Sequence, residues 1–133
     1  MALPTSRIEP GIYFVDYSGF IKVEDTFAAV APVRQLAAED GLTRFVVLVD
    51  ATHFKGVDRF DISGLVSVLR ATEHLVIARI VIGGSIVPQV TQMIIYKLLR
   101  SRFYSASSLD KAIDIARRLL AEDAKTHEKP VSE

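Results

Sequence analysis

Cysteine is absent from the 133 residues, which excludes disulfides and thiolate metal sites. Charge excess is missing too: sixteen basic and sixteen acidic side chains balance, with no long block of either sign. A broad nucleic-acid footprint needs basic excess on one face, so no nucleic-acid partner is expected. Apolar runs reach only about six residues against the roughly 20 that span a bilayer, so no transmembrane segment is expected. The opening MALPTSRIEPG lacks the apolar core of a signal peptide. No internal repeat and no low-complexity segment stands out. What the chain has in quantity is hydrophobic residues, 50% of the total and ample for one core. The expectation is a compact cytoplasmic domain.

The stretch 45–65, FVVLVDATHFKGVDRFDISGL, organises the rest. Phe45-Val46-Val47-Leu48-Val49 is apolar throughout, rich in β-branched side chains, and stops at Asp50. Such a run predicts a strand buried on both faces, as at the centre of a parallel sheet. Asp61 then stands where it can cap a helix over 61–74, with Ile62, Leu65, Val66 and Leu69 at helical spacing. Residues 51–60 read as a loop at the strand's carboxyl end, where open α/β sheets carry their sites.

Residues 1–10, with two prolines, read as a flexible lead-in. Residues 11–17 alternate as a strand, and Ser18-Gly19 separates them from Phe20-Ile21-Lys22-Val23, which predicts an antiparallel hairpin. A helix is expected over 24–40, its core face carrying Phe27, Val30, Val33 and Leu36 and its end marked by Gly41. Pro32 inside it costs about 3 kcal/mol and predicts a kink, or the start of a second short helix. Residues 75–83 read as a strand, with Arg79 pointing to shallower burial than the Phe45 strand. Pro88 suits the first turn of a helix over 88–101 that is apolar around most of its circumference. A short strand at 103–105 follows. Ser107 or Ser108 then caps a final helix striped by Leu109, Ala112, Ile113, Ala116, Leu119 and Leu120. Residues 122–133 read as a flexible polar tail. The order β-β-α-β-α-β-α-β-α predicts a single α/β domain over 11–121, its mixed, mostly parallel sheet opened by an N-terminal hairpin.

This order resembles the STAS domain family in its SpoIIAA-like, anti-sigma factor antagonist-like branch. The likeness is carried by Asp61-Ile62-Ser63-Gly64-Leu65 after a buried strand, by a later strand ending at Gly83, and by FYSASSLDKAIDIARRLL over 103–120. It implies a SpoIIAA-like fold and a non-enzymatic protein-interaction or regulatory module. In phosphorylation-switched members the first serine after the aspartate is the acceptor. Ile62 stands there in this chain and cannot be phosphorylated, while Ser63 matches the second serine. The segment between Asp50 and Asp61 is also longer than in the switch proteins.

Four groups of residues are candidates for function. Asp61, Ile62, Ser63 and Gly64 form the partner-binding or regulatory candidate; its plainer reading is an N-cap worth about 1 kcal/mol. A phosphate on Ser63 would place nearly two negative charges beside helix N–H groups. Ile95, Tyr96 and Leu99 on the 88–101 helix are interface candidates for a protein partner or a homodimer. Gly83, Gly84 and Ser85 could form an anion-binding nest, or simply a tight turn needing positive φ. His53 near Asp50 and Asp58 is the one conceivable base of a hydrolase-type site, and a solvated loop histidine is the plainer reading. The three histidines are scattered, so neither a metal nor a cofactor is expected. An alternative function is a carrier of a lipid or small apolar ligand, in a cleft lined by Leu69, Met93, Ile94 and Tyr96.

Overall fold

The computed structural model describes residues 3–57, 67, 70–71, 74–83 and 102–128. Their order is β1 (Thr5–Glu9), β2 (Ile12–Asp16), β3 (Gly19–Ile21), α1 (Val23–Glu39), β4 (Phe45–Asp50), β5 (Phe54–Val57), β6 (Val76–Ile82), β7 (Arg102–Ala106) and α2 (Leu109–Glu128). Five strands make the main sheet in the order β1-β2-β4-β6-β7, and β3 pairs with β5 in a separate two-stranded ribbon. The apolar run from Phe45 is therefore the middle strand, parallel to β2 on one side and β6 on the other. β6 and β7 are parallel too, and β1–β2 is the antiparallel pair.

Alternation along β4 divides its side chains between two cores. Phe45, Val47 and Val49 join Tyr13, Val15 and Tyr17 of β2 beneath Ala29, Val33 and Ala37 of α1. Val46 and Leu48 face the other way, joining Ile12, Ala78 and Ile80 beneath Ala112, Ala116 and Leu119 of α2. Burying a Val, Leu or Ile side chain stabilises by about 1.5–3 kcal/mol, so a strand closed on both faces anchors the fold. The small alanines let each helix lie close to the sheet. Ser108 caps α2, its Oγ accepting the Lys111 N–H at 3.3 Å. α1 ends in a Schellman arrangement: Leu42 N–H reaches Ala37 O at 2.9 Å, Gly41 N–H reaches Ala38 O at 3.0 Å, and Gly41 has φ +70°.

Several expectations are corrected. The segment read as a loose lead-in holds the edge strand β1, and the antiparallel hairpin is β1–β2, turning at Pro10-Gly11 where Gly11 has φ +91°. Residues 19–21 do not fold back on β2; they pair in parallel with β5, inside the segment read as loop. α1 runs unbroken through Pro32, so the proline does not split it. α2 continues past 121 to Glu128, into the expected tail. Leu109, placed on its apolar stripe, is exposed. β6 is less uniformly buried than β4, as expected, yet Nη1 of Arg79 is itself buried, and burial pulls that guanidinium down to about 10. Of the helix expected over 61–74, Ser67, Arg70 and Ala71 are described and helical. The helix over 88–101 lies outside the described residues.

At the amino end of the central strands a polar network ties three elements. Tyr13, fully buried and edge-on to Phe45 at 5.6 Å, donates its hydroxyl to Asp40 Oδ2 at 2.7 Å and accepts the Gly11 N–H at 3.2 Å. Arg7 of β1 reaches Asp40 at 3.0 Å and Glu39 at 3.1 Å. It offsets two carboxylates at a helix C-terminus, where negative charge is disfavoured.

Candidate functional site

The other end of the sheet is built on a repeated hexad. Val15-Asp16-Tyr17-Ser18-Gly19-Phe20 closes β2, and Val49-Asp50-Ala51-Thr52-His53-Phe54 closes β4. The two stand side by side, with Val15 opposite Val49 and Asp16 opposite Asp50. Each aspartate accepts a hydroxyl from two residues on, Ser18 Oγ to Asp16 Oδ1 and Thr52 Oγ1 to Asp50 Oδ1 at 2.6 Å. Thr52 N–H also reaches Asp50 Oδ1 at 3.0 Å. At Asp50 the N–H and hydroxyl bonds together make an aspartate turn, and at Asp16 the hydroxyl bond stands at the matched position. Both strands break together and resume together as the β3–β5 ribbon, held at its root by Tyr17 N–H on Asp50 O at 3.0 Å and Gly19 N–H on His53 O at 2.9 Å. This hexad pair is a signal that a search for long repeats passes over. It is legible as Asp-x-Ser and Asp-x-Thr after two β-prone runs.

The neighbouring strands are stitched on in the same way. Ala51 N–H bonds Ile82 O at 2.9 Å, and Gly83 N–H bonds Ala106 O at 3.2 Å. Gly83 has φ +81°, and a Cβ there would lie 2.6 Å from Thr52 Oγ1 and 3.1 Å from Thr52 Cα. Positive φ and close backbone approach both require glycine here. Gly84 and Ser85, the rest of the anion-site candidate, lie outside the described residues. So do Asp58, Asp61, Ile62, Ser63 and Gly64, together with Ile95, Tyr96, Leu99 and the cleft residues Leu69, Met93 and Ile94.

Chemically, the described part of this surface commits its carboxylates to turn-making. The hydroxyls of Ser18 and Thr52 point into their own aspartates, and His53 is exposed, with its carbonyl holding β3. Among the described residues no His, Asp and Glu gather in a group able to hold a metal ion. What the surface presents instead is a ribbon edge with Phe20 at 69% exposure. Phe54, at the same hexad position, packs against the inner core.

No family model matches the chain, and no curated protein matches it. Solved structures do. The anti-sigma factor antagonist SpoIIAA in its unphosphorylated form is similar over 87% of this chain and 98% of its own, with TM-score 0.56 and 12% identity. An uncharacterized protein of the DUF3478 family with a SpoIIAA-like fold, from Shewanella loihica PV-4, is similar over 86% of this chain and 92% of its own, with TM-score 0.60 and 15% identity. At such identities the likeness speaks for the fold, and both comparisons span most of each chain. A mostly parallel sheet centred on β4, with an antiparallel strand at one edge and helices on both faces, is the SpoIIAA-like α/β arrangement.

Proposed function

We propose that the chain is a non-enzymatic, STAS-like protein-interaction module with a regulatory role, acting in the cytoplasm. The observation that carries this reading is the SpoIIAA-like arrangement itself, with its central strand delivering the chain to the Asp61 segment. SpoIIAA bears the description anti-sigma factor antagonist, a protein that acts on another protein. The turn-making carboxylates at the carboxyl end of the sheet fit a surface built to be shaped rather than to react. In this reading Asp61, Ile62, Ser63 and Gly64 form the docking point. The apolar 88–101 helix, through Ile95, Tyr96 and Leu99, adds a second contact with a partner or with another copy of the chain. Because Ile62 occupies the position of the usual phosphate acceptor, binding does not depend on modification there.

The test is a pull-down from native lysate with the full chain as bait. Ser63→Asp places a charge at the docking point and Ile95→Glu places one on the apolar helix. Each is expected to lose the partner recovered by the unaltered chain while keeping its thermal melting profile. Recovery of the same partner with both changes combined would refute the assignment.

A further inference from the structure

We draw no further inference here: the strongest candidate, the exposed surface patch around Phe20 on the β3–β5 ribbon, carries nothing because nothing in the structure shows what covers it.

Discussion

Gly83 and Thr52 show how closely the carboxyl end of the sheet is packed. Only a hydrogen fits between the glycine Cα and the threonine hydroxyl, because a methyl would come within 2.6 Å of Oγ1. A side chain held at φ +81° also costs about 1–2 kcal/mol through backbone sterics. Gly83→Ala is therefore expected to lower the free energy of unfolding by more than that backbone cost, read from urea denaturation. Adding Thr52→Ala should restore part of the loss, since Oγ1 disappears while Thr52 Cα at 3.1 Å remains. An unchanged unfolding midpoint in Gly83→Ala would show that the turn relaxes freely. Asp16 and Asp50 belong to the same scale. Their hydroxyl clamps place the break in β2 level with the break in β4, and from that match the ribbon follows.

Among elements, the tie between β1, β2 and the end of α1 meets at Asp40, whose carboxylate takes both the Tyr13 phenol and Arg7. Burial, aided by the bond to Asp40, pushes the Tyr13 hydroxyl up to about 12, and the Tyr13 and Arg7 bonds hold the Asp40 carboxyl below its ordinary value. The sign follows from linkage. The neutral phenol is favoured in the folded chain, so its contribution is complete below the ordinary value of about 10 and is lost as pH climbs toward 12. Tyr13→Phe leaves the Gly11 N–H without its acceptor and is expected to cost about 1–2 kcal/mol at neutral pH. Urea midpoints of the two chains should converge between pH 10 and pH 12. A gap that stays constant through that window would contradict the assignment.

Element by element, legibility in the sequence tracks burial. β4 is readable because both of its faces are covered and its apolar run is continuous. α2 is readable because its inner stripe is regular and Ser108 marks its start. β1 is hidden by its role: an edge strand carrying Arg7 and Glu9, both engaged in ion pairs, shows no apolar alternation. Ser18-Gly19 imitates a hairpin turn, yet Ser18 bonds back to Asp16 and Gly19 forward to His53, so the chain carries on instead of reversing. β5 is broken up in sequence by Lys55-Gly56, and its strand character comes from pairing with β3, which local pattern does not encode.

For the molecule as a whole, the proposed function puts a working face at the carboxyl ends of β2 and β4, and a girdle of ion pairs lies at the opposite end. The first is the β3–β5 ribbon running on toward the Asp61 segment; the second is Arg7 with Glu39 and Asp40, joined by Arg44 with Asp123 at 2.9 Å. Among the described residues no helix is long and apolar enough to cross a membrane. Hydrogen–deuterium exchange on the chain alone and with its pull-down partner bound separates the two ends directly. The account predicts that residues 45–49 exchange slowest in both states, and that the partner adds protection over 19–22, 52–57 and 61–64. New protection confined to residues 5–9 and 39–44, with the ribbon unchanged, would contradict it.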